Sequence, residues 1–154
     1  MKKKMVVIAE QASDLTATLL PWLTERGYRF QAVDDMEDIV ASLISRNRIS
    51  VLLLDDTVSN GSICDDIAIV KRMFGDVPII VTTKQNDAEK EKYIRKLGVF
   101  YYHVKACGVN DLKAAISCAM QDAVESYLSY GQVRGGGKEM ATHILRRKPC
   151  CTSS

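Results

Sequence analysis

Short unbroken apolar runs alternate along this chain with longer stretches whose apolar positions recur at helical spacing. Val6-Val7-Ile8-Ala9 and Val51-Leu52-Leu53-Leu54 contain no polar residue, as expected of strands buried on both faces. The first predicted strand covers residues 4–9. Residues 14–26 then carry Leu15, Leu19, Leu20, Trp22 and Leu23 at helical spacing, with Ser13 as candidate N-cap and Gly27 as the stop. Pro21 removes a backbone donor inside that helix, so a bend or an early break is expected there. Residues 28–33 alternate as a strand. Asp34 or Asp35 caps a second helix bearing Ile39, Val40, Leu43 and Ile44, and residues 49–54 form the central buried strand.

The pattern continues to residue 127. A helix over 63–74 stops at Gly75, and residues 77–83 form a strand with Pro78 near its start. Asn86 or Asp87 caps a charged helix over 88–97 that stops at Gly98. Residues 99–104 form the fifth strand, and Asn110 caps a last helix through Leu112, Ala115, Ile116, Ala119, Met120 and Val124. Strict alternation of strands and helices predicts an α/β domain with a parallel sheet covered on both faces. With right-handed crossovers, the flavodoxin-like doubly wound order 2-1-3-4-5 is the natural arrangement for a five-stranded parallel sheet. Residues 1–128 are expected to form the domain and 129–154 a flexible basic tail, which contains Gly135-Gly136-Gly137 and Arg146-Arg147-Lys148-Pro149-Cys150-Cys151. Cys150-Cys151 does not have the C-a-a-X form of a prenylation signal.

Composition narrows the function classes. The 154 residues are 47% hydrophobic and 26% charged, enough for one core, and a net charge of +2 gives no footprint for nucleic acid. No run reaches the roughly 18–20 apolar residues needed to span a bilayer. Met1-Lys2-Lys3-Lys4 is basic, but the apolar run behind it ends at Glu10, too soon for a secretory signal. Five cysteines without a CxxC or metal-like spacing suggest reduced thiols in a cytoplasm, with Cys64, Cys107 and Cys118 as packing residues.

The candidate chemistry lies where strands end. Glu10, Asp55, Thr83 and Lys105 follow the first, third, fourth and fifth strands, and the carboxyl ends of an open parallel sheet are where ligands bind. Clustered carboxylates call for a cation, and Mg2+ held by Glu10, Asp55 and the backbone carbonyl of Thr57 is the expected choice. A carboxylate can attack phosphorus, with a metal, a hydroxyl and an ammonium stabilising the transferring group. A phosphate cradle for a flavin or nucleotide would need a glycine-rich loop, and Glu10-Gln11-Ala12-Ser13-Asp14 has none.

Four segments in order resemble the receiver domain of two-component response regulators, a CheY-like fold. They are Val6-Val7-Ile8-Ala9-Glu10-Gln11, Val51-Leu52-Leu53-Leu54-Asp55, Val77-Pro78-Ile79-Ile80-Val81-Thr82-Thr83 and Tyr102-His103-Val104-Lys105. The resemblance covers residues 4 to about 125. It implies that Asp55 accepts a phosphoryl group from a sensor histidine kinase or a phosphotransfer protein. Thr83 and Lys105 would then bind that group, and Tyr102 would turn with Thr83. The fourth helix, fifth strand and fifth helix would contact a downstream protein, an effector domain or a second copy. Neither nucleic acid nor a membrane is an expected partner of this domain, and no enzymatic activity beyond self-phosphorylation and self-dephosphorylation of Asp55 is expected.

The sequence also departs from that pattern. Gln11, a further candidate ligand, stands where the second acid and direct metal ligand is usual, so Mg2+ binding should be weak or absent. Lys84 replaces a small residue, and Ala106 replaces the usual proline after the lysine. These departures support an alternative, a pseudo-receiver that binds proteins without phosphotransfer. Plainer roles exist as well: Asp55 as a helix cap, Lys105 as its structural counter-charge, His103 as an exposed strand residue, and the Lys90, Lys92, Arg95 and Lys96 cluster as a solvated helix face.

Overall fold

The computed structural model describes residues 4–11, 14–45 and 49–128. Ser13 and the expected tail, including Cys150 and Cys151, lie outside the described residues. The elements run β1 (Met5–Ala9), α1 (Asp14–Glu25), β2 (Arg29–Val33), α2 (Met36–Ile44), β3 (Ile49–Asp55), α3 (Ile63–Phe74), β4 (Ile79–Thr83), α4 (Ala88–Lys96), β5 (Tyr101–Val104), a short 3-10 turn (Lys105–Cys107) and α5 (Asn110–Leu128). The strands pair in parallel in the order β2-β1-β3-β4-β5. This is the flavodoxin-like, doubly wound order that the alternation predicts.

The pleat sorts each buried strand into two cores. Val7, Ala9, Leu52, Leu54, Ile79 and Val81 pack with Ile39 of α2, Ile67 and Val70 of α3 and Ile94 of α4. Val6, Ile8, Val51, Leu53 and Ile80 pack with Leu19 and Leu23 of α1 and Leu112, Ile116 and Met120 of α5. Successive strand residues point to opposite faces, which is why the central strands must be apolar throughout. Each fully buried Leu or Ile contributes roughly 1.5–3 kcal/mol, so the central strand alone anchors the fold.

Local signals behave as the chemistry requires. The Asp35 side chain accepts from Asp38 N at 2.8 Å, and Asp87 accepts from Glu89 N and Lys90 N at 3.1 Å, so each caps the helix that follows. Gly27 and Gly98 end their helices with φ of 73° and 85°, where a Cβ would be strained.

Three expectations are corrected. Pro21 lies within an unbroken α1, because Pro21 and Ala17, whose carbonyl loses its partner, are both exposed to solvent. His103 is buried, 1% exposed, rather than an exposed strand residue, because α5 covers that face of β5. Cys64 is a free thiol, but Cys107 is disulfide-bonded, which departs from reduced thiols throughout.

Candidate functional site

The parity of the pleat decides which strand-end residues meet. Glu10 follows Ile8, Asp55 follows Leu53 and Thr82 follows Ile80, so all three project towards the face covered by α1 and α5. Asp55 and Thr82 are also Cα partners in the β3–β4 register. Asp56 and Thr83, one residue later, project towards α3 and α4.

On the first face, Lys105 Nζ lies 2.7 Å from Asp55 Oδ2 and 2.6 Å from Glu10 Oε1. Glu10 also accepts from the Thr16 hydroxyl of α1. Asp55 Oδ2 accepts from Thr82 Oγ1 at 2.7 Å, and its Oδ1 accepts from the Thr57 amide at 3.0 Å and hydroxyl at 2.5 Å. Four donors thus converge on a side chain that is 1% exposed. Burial alone would push the Asp55 carboxyl up, but the hydrogen bonds from Lys105, Thr57 and Thr82 outweigh it and hold it below its usual 3.8. Burial likewise disfavours charge on Lys105, and its bonds to Asp55 and Glu10 outweigh that and raise it above 10.5. Asp55 and Lys105 are therefore both ionised, and the ammonium bridges the two carboxylates.

On the second face, Thr83 Oγ1 donates to Asp56 Oδ2 at 2.7 Å, and Lys90 Nζ of α4 reaches the same oxygen at 3.0 Å. Tyr102 is buried beside this group with Arg95 6.0 Å from its ring centre, and its hydroxyl has no well-formed hydrogen bond. Burial first, then the charges of Glu91 and Asp56, push the phenol up to about 12 against a weaker opposing pull from the nearby Thr83.

The comparisons with known proteins agree with this architecture. A response regulator receiver domain protein (CheY-like) from Methanospirillum hungatei superposes with a TM-score of 0.68 at 15% identity, over 82% of this chain and 99% of that one. A response regulator receiver protein from Pseudomonas putida gives 0.66 at 21% identity, over 76% and 97%. A two-component response regulator from Clostridium difficile gives 0.66 at 18% identity, over 77% and 96%. The chain has the receiver-domain fold. No protein-family model and no curated protein sequence matches it.

Within the receiver fold, the sequence-derived candidates fall into two groups. Glu10, Asp55 and Lys105 are brought together as expected. Thr83 and Tyr102 lie near one another on the other face, and the hydroxyl on Asp55 belongs to Thr82, which the sequence reading did not single out. Counting the pleat from Leu53 and Ile80 would have found it. Thr57 turns its amide and hydroxyl to Asp55 Oδ1. Gln11 is exposed, as is Lys84, which lines an open cleft with Asp56, Thr83, Gln85, Asp87 and Lys90.

Receiver domains generally bind Mg2+ at an acidic pocket. The donor set of this chain does not by itself make such a cage. Lys105 already bridges both carboxylates, and among the described residues no three His, Cys, Asp or Glu side chains gather as ligands. Among the described residues, no helix is long and apolar enough to cross a membrane.

Proposed function

We propose that this chain is a response-regulator receiver module of two-component signal transduction, with Asp55 as the phosphoacceptor. The donor would be the phosphohistidine of a sensor kinase or phosphotransfer protein, acting in the cytoplasm. One observation carries the reading: an ionised Asp55 lies at the carboxyl end of β3 with the Lys105 ammonium 2.7 Å away. An ionised carboxylate is the required nucleophile.

In this reaction an Asp55 oxygen forms the new O–P bond while the P–N bond to the donor imidazole breaks. The electron pair of that bond leaves with the ring nitrogen. Lys105 neutralises the phosphoryl oxygens, and one of the donors now on Asp55 must withdraw from the attacking oxygen. Thr83 and Tyr102 then carry the change to the face made by α4, β5 and α5, where a downstream protein, an effector domain or a second copy docks.

Treatment with acetyl phosphate, with and without Mg2+, tests this by intact mass. The wild type should gain one phosphoryl group and Asp55→Asn none. No adduct on the wild type in either condition rejects phosphotransfer.

A pseudo-receiver is the second reading, favoured by the four donors that occupy both oxygens of Asp55. Asp55, Lys105 and Glu10 would then be a structural centre beneath a protein-binding surface. Asp55→Asn would lower stability and leave partner binding unchanged.

A further inference from the structure

Asp56 occupies an unusual position, next to the candidate phosphoacceptor in sequence but on the opposite face of the sheet. Its Oδ2 accepts from Thr83 Oγ1 at 2.7 Å and from Lys90 Nζ at 3.0 Å. It is only 19% exposed, and its backbone amide is fixed to Thr82 O at 3.0 Å, so the carboxylate cannot swing towards Asp55. A hydroxyl carries one proton. Thr83 can give it to Asp56 or to Gln85 O at 3.1 Å, and the shorter bond to a charged acceptor wins. Thr83 is thereby committed to α4 through Lys90. An open cleft of about 280 Å³ beside it, lined by Asp56, Thr83, Lys84, Gln85, Asp87 and Lys90, leaves room for these side chains to move.

We propose that Asp56 is a positioning residue that latches Thr83 to Lys90 of α4 and must release it before Thr83 can serve the Asp55 site. This rests on the reading of Asp55 as the phosphoacceptor. A phosphoryl group on Asp55 presents new anionic oxygens that compete with Asp56 for the Thr83 proton and for the Lys90 ammonium. Its charge also repels Asp56. When Thr83 and Lys90 both turn to the phosphoryl group, Asp56 loses both donors and no longer ties the N-terminal turn of α4 to the sheet. The state of Asp55 is thus read out at α4 through a competition for one hydroxyl.

The test uses the full chain as wild type, Asp56→Ala, Lys90→Met, Thr83→Ala and the Asp56→Ala/Thr83→Ala pair. The rate of phosphoryl mass gain from acetyl phosphate is measured beside amide exchange over residues 84–96. Asp56→Ala should speed the mass gain severalfold and raise exchange in the first turn of α4 without any phosphodonor. Lys90→Met leaves Thr83 as the remaining donor on Asp56 Oδ2, so it should raise exchange in that turn while slowing the mass gain, which keeps the test open if Asp56→Ala fails to fold. The rate increase should vanish in the Thr83→Ala background, an outcome that a merely structural Asp56 would not produce. Phosphorylation that proceeds at the wild-type rate in both single variants, or an increase that survives Thr83→Ala, overturns the latch and leaves the phosphoacceptor reading standing. Absence of any adduct in all variants overturns that reading and the latch with it.

Discussion

Thr82 Oγ1 donates to Asp55 Oδ2 at 2.7 Å across two strands in direct Cα register, and both residues are 0% exposed. A hydroxyl inside the sheet therefore fixes the orientation of the central carboxylate, at a position where an apolar residue would have sufficed for packing.

Thr82→Val keeps the shape and removes the donor. A hydrogen bond to a buried charged acceptor contributes about 1.5–3 kcal/mol, and the better burial of valine returns part of it. Urea unfolding should show a loss of about 1–2 kcal/mol, and the Asp55 carboxyl should titrate higher by carbon-detected NMR. Unchanged stability with an unchanged titration would show that the hydroxyl does not hold the carboxylate.

Lys105→Met removes the cation shared by Asp55 and Glu10 and leaves two buried carboxylates without counter-charge. The expected loss is about 3–5 kcal/mol at neutral pH. Without Lys105, the burial of Asp55 is opposed only by the bonds from Thr57 and Thr82, so its carboxyl rises and the loss relative to wild type should be smaller at pH 5 than at pH 8. Thermal melts of variant and wild type in which the difference is smaller at the higher pH would contradict this.

Two windows of pH dependence follow for the wild type. Burial holds the His103 ring below its usual 6.5, and its Nε2 has no hydrogen-bond partner. The unfolded chain therefore binds the proton first, and stability should fall as pH drops below 6.5 towards the folded value. Replacement by Leu should abolish that limb. Asp55, depressed in the folded state, contributes stability that is complete above 3.8 and lost as pH falls towards its folded value. Denaturant titrations at fixed pH values, with and without His103→Leu, separate the two.

Pro21→Ala should stabilise the domain. The proline withholds one hydrogen bond from an otherwise continuous α1, and restoring it in an exposed helix position is worth about 1–3 kcal/mol. A lower melting temperature would mean that the ring supplies packing that outweighs the missing bond.

The fold was largely legible because its signals are local. Apolar runs, the caps Asp35 and Asp87, and the helix-ending glycines Gly27 and Gly98 each act over a few residues, and together they leave one economical strand order. Pro21 misled because its cost depends on whether solvent reaches the carbonyl of Ala17, which no local rule states. His103 misled because its polarity suggests water, whereas the cover of α5 decides its burial.

By itself, the sequence determined that carboxylate, hydroxyl and ammonium groups stand at the ends of buried strands in a parallel α/β domain, because apolar period and turn chemistry are written in neighbouring residues. Only the tertiary structure decided that Thr82 meets Asp55 while Thr83 meets Asp56 and Lys90. That choice depends on the register between β3 and β4 and on which helix covers each face, and both are set by packing between segments distant in the chain.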